Sequence, residues 1–314
     1  MKSRQVGLVL IALITIGIAG LIARAVSSGP EELVLSGLLP LSPDVVDTVN
    51  LRSGQSAAEL RRVGTDATNW RVGDFPVFPA KLLDFWGAVA DIDGAQLVAR
   101  NPKNHSRMGV ADGQGTVMEF FLGGSIQEQF LVGKWSPDVR LCYLRRPSKN
   151  EVYSIPCASP DVFDADPDGW RNRIVFRVPR RAVESIDFTS PEEEDFTVAI
   201  TPLGSVLISE DGREPADNGQ VLNILLALEN LPEATGFASE EQMEELRFDA
   251  ATPSIVINTL RESGIPTTRL RFIPRDDLSY YVKNPAESTV YVMDRDLVEF
   301  LLKKKQDFAL ATGE

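Results

Sequence analysis

The chain has 314 residues, of which 43% are hydrophobic and 25% are charged, and its formal net charge is −13 at pH 7. This length suits one large domain or two medium ones, and the composition is that of an ordinary globular protein. The acidic balance argues against a nucleic-acid partner and against adhesion to an anionic membrane surface, because both need clustered Lys and Arg.

The chain begins with a long apolar run. Residues 6–23 carry no charged side chain and follow the basic residues Lys2 and Arg4. The run has about the minimum length of a transmembrane helix and is somewhat long for the core of a signal peptide. We predict a membrane anchor in residues 1–25. A cleaved signal peptide is the alternative that the sequence leaves open.

The charges beside this run predict its orientation. Lys2 and Arg4 precede it and only Arg24 follows closely, so the positive-inside rule keeps the N-terminus in the cytoplasm. No later segment is long enough to span a bilayer, and the apolar stretch at 224–228 is interrupted by Glu229. We therefore expect a single-pass protein of the inner (cytoplasmic) membrane, with its C-terminal region in the periplasm or outside the cell.

A linker at residues 26–41 leads into a first α+β unit, which we predict over residues 42–165. The segment 79–92 has a helical period, because its apolar residues recur at Leu82, Phe85, Val89 and Ile92. Strand patterns precede and follow this helix, at residues 45–51, 58–63, 69–72, 116–121 and 128–132.

A hairpin pattern occurs twice in the chain, first at 139–155 and again at 278–293. Tyrosine and β-branched residues flank a polar turn in both copies, which is typical of a strand–turn–strand unit. Tyr143 and Tyr153 of the first copy correspond to Tyr281 and Tyr291 of the second, each 138 positions later. This spacing suggests that one unit was duplicated.

Other elements repeat at nearly the same distance. The strand pattern at 183–188 corresponds to 46–51, at 137 positions, and a helix at 220–231 corresponds to 82–92, at 139 positions. We predict a seam at 166–182, a second α+β repeat at 183–305 and a tail at 306–314. The predicted fold is therefore α+β, with two tandem repeats of antiparallel sheet, one main helix in each, and a single N-terminal transmembrane helix before them.

The two cysteines, Cys142 and Cys157, belong to the first hairpin. If this hairpin turns at residues 149–150, the two cysteines face each other and can form a disulfide in an oxidising compartment. A register shifted by one residue moves them out of line. The sequence leaves both arrangements open.

His105 is the only histidine, and it lies in a polar loop. A catalytic triad would need an activated serine, and no nucleophile-elbow pattern occurs in the sequence. A zinc site would need ligands at a suitable spacing, which neither carboxylates nor Cys142 and Cys157 supply. We expect a solvated loop histidine.

The sharpest local pattern is the acidic segment before Gly169, in which Asp164, Asp166 and Asp168 alternate with other residues. It resembles the start of a calcium-binding loop. The twelfth position of such a loop should be Glu, however, and here it is Val175. The favoured interpretation is an acidic segment between the units.

Three further patterns have ordinary structural explanations. The charge run at 192–195 falls at a predicted hairpin tip and is expected to be solvated. The glycines at 113–115 and 123–124 lie between strands and lack the Gly-Lys-Ser/Thr ending of a phosphate-binding loop. The tryptophans are expected in the core or the seam rather than in a ligand cage: Trp70, Trp86, Trp135 and Trp170.

This order of elements resembles a bacterial family known as domain of unknown function 4340. The basic-aromatic seam at 170–175, the strand that follows it, and the hairpins ending in Tyr153 and Tyr291 carry the resemblance, which covers about residues 36–302. It implies a location in the cell envelope and proximity to transporters of the ABC class, including components linked to gliding motility. It implies no catalytic residues.

We therefore expect a non-enzymatic, membrane-anchored envelope protein that acts as an interaction or accessory module, with an ABC-type transporter or a gliding-type complex as partner. No catalytic, cofactor-binding or metal-binding residue and no cofactor is predicted. One alternative is a periplasmic module that binds a small ligand between the units near Trp170. A second is an unrecognised hydrolase that uses carboxylates such as Asp164 and Asp166.

Overall fold

The structure is a computed structural model, and it describes residues 35, 40–191, 193–230, 233–249 and 251–310. The chain divides into two compact units after Trp170. The predicted anchor at residues 6–23 lies outside the described residues. Within the described ranges, no helix is both long and apolar enough to cross a membrane.

The first unit is a broad antiparallel sheet with one main helix. Its strands and α-helices are, in chain order, β1 Thr48–Ser53, β2 Ser56–Arg62, β3 Trp70–Val72, β4 Phe75–Pro76, α1 Pro79–Ala90, β5 Gln96–Ala99, α2 His105–Met108, β6 Thr116–Leu122, β7 Ser125–Ser136, β8 Leu141–Arg145 and β9 Val152–Pro156. Short 3₁₀ turns follow at Pro160–Phe163 and Pro167–Trp170.

The second unit contains the same kinds of element. They are β10 Val183–Thr189, β11 Phe196–Thr201, β12 Gly204–Ser209, β13 Gly212–Pro215, α3 Asn218–Asn230, β14 Gly236–Phe237, α4 Glu240–Glu245, β15 Ser254–Thr259, β16 Thr268–Pro274, β17 Ser279–Lys283, β18 Val290–Asp294 and α5 Arg295–Leu301. A 3₁₀ turn at Lys305–Phe308 follows α5.

Strand order is the same in the two sheets. The first runs β4-β3-β2-β1-β6-β7-β8-β9-β5 and the second runs β13-β12-β11-β10-β15-β16-β17-β18-β14, so that, in the described part of the chain, each has nine strands. Neighbouring strands are antiparallel throughout. This architecture agrees with the predicted α+β class and its two repeats.

The two main helices bury equivalent faces. In α1 the buried positions follow the helical period, and in α3 each buried position lies 139 residues later. These positions are Leu82, Phe85, Trp86, Ala88 and Val89 in α1, and Val221, Ile224, Leu225, Ala227 and Leu228 in α3. The predicted spacing of 139 positions therefore holds for every buried side chain of the two helices.

The repeated hairpins share their register as well as their sequence pattern. Leu144 pairs with Tyr153 in the first hairpin, and Val282 pairs with Tyr291 in the second, 138 positions later on both strands. Because side chains alternate between faces along a strand, an equal register places equivalent residues on the same face of each sheet.

The register of the first hairpin differs from the expected one. Cys142 pairs with Ile155 instead of facing Cys157, because the loop at 146–151 is centred on residues 148–149 and not on 149–150. The shift is two residues, which keeps both cysteines on one face of the sheet. They form a disulfide across the diagonal, with a Cα–Cα distance of 5.5 Å.

Each unit ends on one aromatic residue that completes its core. Trp170 is fully buried among the aromatic residues of the first core, and Phe308 is buried against Phe188 of the second. The carbonyl oxygen of Trp170 accepts a hydrogen bond from the Phe78 backbone N–H, and that of Phe308 accepts one from Asp217, at 2.8 Å in both cases. Trp170 and Phe308 are 138 positions apart.

These closing residues correct two predicted boundaries. The segment 166–182 is not a separate seam, because its first part belongs to the first core and Val175 and Val178 belong to the second. Within the predicted tail at 306–314, residues 306–310 are not free, because Phe308 is a core residue and Ala309 bridges to Ala216.

The predicted linker at 26–41 also reaches into the fold. Leu35 is buried, and its backbone N–H donates to the Ala95 carbonyl oxygen at 3.0 Å. The corresponding residues of the second unit are joined by a hydrogen bond of the opposite direction, from the Ala234 backbone N–H to the Arg173 carbonyl oxygen, at 2.8 Å. The first unit therefore includes Leu35.

We predict that Phe308→Ala lowers the free energy of unfolding by about 3–5 kcal/mol, because truncating a buried phenylalanine leaves a cavity. Urea unfolding followed by tryptophan fluorescence and circular dichroism measures the change. The control is Leu310→Ala, two residues later, where the side chain is 53% exposed and the expected change is within about 0.5 kcal/mol. Equal effects of the two substitutions would contradict the closing role of Phe308.

Candidate functional site

The most distinctive surface of the second unit surrounds α5. This helix begins directly after β18 and buries Val298 and Leu301 in the second core. Four half-buried apolar side chains on or beside this helix pack against the same core: Tyr280, Leu297, Phe300 and Leu302.

A groove of about 710 Å³ lies on one side of α5, and we call it the acidic groove. Its lining residues are Asp277, Leu278, Asp294, Arg295, Asp296, Leu297 and Phe300. The leucine at position 278 is 79% exposed. The lining of this groove therefore combines apolar side chains with carboxylates.

Arg295 is held in place by several acceptors. Its Nη1 donates to Glu299 Oε1 at 2.9 Å, and its Nε and Nη2 donate to the carbonyl oxygens of Asp277 and Asp276, at 2.9 and 2.6 Å. The hydrogen bond to Glu299 is the main cause of a raised pKa for Arg295. The guanidinium thus connects the β16–β17 turn to α5 and shapes the groove.

The exposed position of Leu278 is fixed by its turn. Asp276 Oδ1 accepts hydrogen bonds from the Leu278 backbone N–H at 2.9 Å and from the Ser279 hydroxyl at 2.8 Å. Both hydrogen bonds lower the pKa of the Asp276 carboxyl, and the bond from the Leu278 backbone N–H has the larger effect. Ser279 is buried, so the turn is attached to the core while Leu278 points to solvent.

A second groove, of about 540 Å³, lies on the other side of α5. We call it the closing-segment groove, because residues between α5 and the closing residue Phe308 line part of it. Phe188 and Phe196 stack at its base, with ring centroids 4.5 Å apart. Its rim carries charged residues of both signs, namely Glu193, Glu194, Glu299, Lys303, Lys304 and Asp307.

Ion pairs join this rim to the end of the chain. Lys304 pairs with Glu193, and Lys305 Nζ lies 3.0 Å from Glu194 Oε2 and 2.9 Å from Asp211 Oδ2. The hydrogen bond from Lys305 lowers the pKa of Glu194 and of Asp211, and the two carboxylates raise the pKa of Lys305.

The charge run at 192–195 is therefore not simply solvated. Two of its members, Glu193 and Glu194, form the ion pairs just described, and residue 192 lies outside the described residues. The partners are lysines 111 positions away, which the local sequence pattern does not reveal.

His105 is buried, contrary to the expectation of a solvated histidine. It begins the short helix α2 and is only 8% exposed. Its Nε2 lies 2.9 Å from the Asn150 carbonyl oxygen, which makes this nitrogen the donor. The connection between β5 and β6 covers this face of the sheet, where buried Arg145 donates to the Val110 carbonyl oxygen. The histidine thus has a structural contact.

The acidic segment before Gly169 forms turns. Asp164 Oδ1 accepts from the Asp166 backbone N–H at 3.0 Å, and Asp166 Oδ1 accepts from the Asp168 backbone N–H at 3.1 Å. Lys81 Nζ lies 3.6 Å from Asp164 Oδ2. Across the described residues, no group of three or more His, Cys, Asp or Glu side chains is placed to hold a metal ion.

The tryptophans are core residues. Trp70, Trp86 and Trp170 are buried in the first core, and half-buried Trp135 donates from Nε1 to the Cys157 carbonyl oxygen at 3.1 Å. Trp170 is fully buried beside Phe85, so its ring offers no free face to a ligand.

A family model described as "Domain of unknown function (DUF4340)" matches residues 68–251 of the chain. The chain belongs to this family. The matched segment starts just before β3 and ends before β15, so it takes in part of each unit. No curated protein and no solved structure matches the chain. Membership of DUF4340 confirms the resemblance seen in the sequence, and the description assigns no activity.

We predict that Lys305→Met lowers the melting temperature at neutral pH and that this difference disappears in acid. The pKa values of Glu194 and Asp211 are lowered in the folded state. Their ion pairs with Lys305 therefore stabilise the fold above the ordinary carboxyl pKa values, near 4. This stabilisation is lost as the pH falls through the folded-state pKa values.

Differential scanning fluorimetry from pH 7 to pH 3 tests this prediction. Lys103→Met, at an exposed lysine of the first unit, changes the net charge equally and serves as control. A difference between Lys305→Met and the parent chain that stays constant down to pH 3 would contradict the account.

Proposed function

We propose that this DUF4340 member is a membrane-anchored envelope protein whose folded units form an interaction module for a membrane complex, without catalysis of its own. The observation that carries the proposal is the Cys142–Cys157 disulfide in a chain that starts with an apolar run at 6–23. Disulfides persist in oxidising compartments and are rare in the cytosol. The pair therefore supports a periplasmic position for the first unit.

The distance between the apolar run and the fold supports the same proposal. Leu35 is already part of the first core, twelve positions after Ala23. At about 3.5 Å per extended residue, such a segment reaches at most roughly 40 Å. An anchor at 6–23 would thus hold the first unit close to the membrane surface, where a membrane complex is accessible.

The surfaces of the units favour binding over catalysis. The carboxylates around α5 are exposed or paired with Arg and Lys, and the sole histidine is engaged with a backbone carbonyl. The acidic groove combines exposed apolar and charged side chains, as interaction surfaces do. An ABC-type transporter or a gliding-type complex is the partner that we propose, from the resemblance described above.

Binding of a small ligand is a second candidate, and the closing-segment groove favours it. Its volume of about 540 Å³ lies in the range of small-molecule sites, roughly 300–1,000 Å³. A ligand that binds the folded state raises the melting temperature. A thermal-shift screen of the full chain against small metabolites therefore tests this candidate.

The main proposal is tested by native co-purification. The full chain is extracted from its own membranes in a mild detergent, and proteins recovered in stoichiometric amounts are identified by mass spectrometry. Recovery of the subunits of one membrane complex is expected. A chain that behaves as a soluble cytosolic protein, or that is recovered alone under every mild condition, would overturn the proposal.

We predict that Cys142→Ser with Cys157→Ser lowers the free energy of unfolding by about 3 kcal/mol, because the disulfide closes a loop of about 15 residues in the unfolded chain. Chemical unfolding with and without reductant measures the change, and reductant should have no effect on the double variant. Thiol alkylation of intact cells should leave both cysteines of the parent chain unlabelled. Complete labelling would contradict a periplasmic first unit.

A further inference from the structure

The apolar side chains that line the acidic groove are held in position. Leu278 is fixed by the Asp276 turn, and Leu297 and Phe300 project from a helix whose other side is in the core. An ordered, exposed leucine next to two half-buried apolar side chains leaves apolar surface in contact with water. Burial of such surface by a partner is favourable, at about 25 cal/mol per Å².

The charged side chains that line the acidic groove are mostly negative. Asp277, Asp294 and Asp296 are exposed, and none of the three carboxylates forms an ion pair with a described residue. Arg295 lies among them and is already engaged by Glu299. Within the lining, three carboxylates thus face one cation.

The first unit shows that the fold does not require this combination. Val139, Arg140 and Pro156 occupy the positions of Asp277, Leu278 and Asp294, 138 residues earlier. The start of α5 corresponds to Cys157, Ala158 and Ser159 of the first unit. Cys157 forms the disulfide with Cys142. The exposed leucine and the carboxylates are therefore specific to the second unit.

We propose that the acidic groove docks a polypeptide segment of a partner protein that inserts an apolar side chain against Leu278, Leu297 and Phe300 and places Lys or Arg beside Asp277, Asp294 and Asp296. The complementary charge fixes the orientation and the apolar contact supplies most of the affinity. This inference rests on the proposed function, because it names the surface by which the module would bind its complex.

A designed peptide probes the groove directly. The full chain is placed in nanodiscs of zwitterionic lipid, and binding of a fluorescein-labelled peptide, in which Leu and Phe anchors stand between lysines, is followed by fluorescence anisotropy. Empty nanodiscs serve as the blank. One matched peptide has Glu for every Lys, and another has Ser for both anchors. We expect binding of the Lys peptide alone, weakening at high salt.

Variants of the groove and a matched control assign the site. Leu278→Ser, and Asp277→Lys with Asp296→Lys, are each expected to weaken binding at least tenfold. The control is Asp91→Lys with Asp93→Lys in the first unit, which changes the net charge equally at another acidic surface and should have no effect. No binding of the Lys peptide, equal binding of the Glu peptide, or equal affinity of parent and groove variants would each overturn the proposal.

Photo-crosslinking in cells identifies the natural occupant. With benzoylphenylalanine at position 278, we expect a crosslink to a segment of another protein that carries Lys or Arg beside an apolar residue. The same group at position 139, where Val139 is 58% exposed, should not give this crosslink. A crosslink to a second copy of the chain, to an acidic segment or to lipid would overturn the proposal.

Co-purification separates this inference from the proposed function. If the membrane complex is recovered with the parent chain and equally with Leu278→Ser, the acidic groove is not the docking surface and the proposed function stands. If the parent chain recovers no complex, the proposed function itself fails. Loss of the complex with Leu278→Ser but not with Asp91→Lys and Asp93→Lys supports both.

Discussion

Each unit depends on burying one face of a broad antiparallel sheet beneath one main helix. This helix is too narrow to cover the whole face, and an aromatic residue near the end of each unit helps to complete the cover. Trp170 and Phe308 fill this position, and the backbone bonds from Phe78 and Asp217 tie each end to the start of the main helix. Burial of apolar surface is the dominant favourable term in folding. The stability of each unit therefore depends on its closing aromatic residue, Trp170 or Phe308.

This constraint explains which positions of the two units agree and which differ. The buried faces of α1 and α3 and the register of the repeated hairpins match, since these positions form the core. The surface segments that lead to the closing residue have diverged. Asp164, Asp166 and Asp168 form turns in the first unit, whereas Lys304 and Lys305 form ion pairs in the second. Surfaces free of the core constraint are where separate binding roles can develop.

Much of this architecture could be predicted from the sequence. The period of α1 and the paired tyrosines revealed two repeats, because helical and strand periods are local signals. Strands β5 and β14 have four and two residues, too short for a recognisable pattern. Strand β16 does alternate, with Leu270 and Phe272 buried, and is nonetheless not among the predicted strands. The family was identified from the order of elements and is confirmed over residues 68–251.

The site was less predictable, because it depends on contacts between distant residues. Buried His105 contacts Asn150, 45 positions away, and the disulfide depends on where the hairpin loop is centred, which the turn residues do not determine. Nothing in the local sequence shows that Leu278 is exposed, since Leu beside a strand usually indicates core. The acidic groove becomes visible only when the β16–β17 turn, the end of β18 and α5 are assembled.

Hydrogen–deuterium exchange tests the central claim, that the two units share one fold and that the second presents the binding surface. The full chain is compared alone and within its co-purified membrane complex, with peptides followed from both units. The account predicts slower exchange in the complex at 276–300 and unchanged exchange at the corresponding residues 138–162. Protection at 138–162 without protection at 276–300 would contradict it.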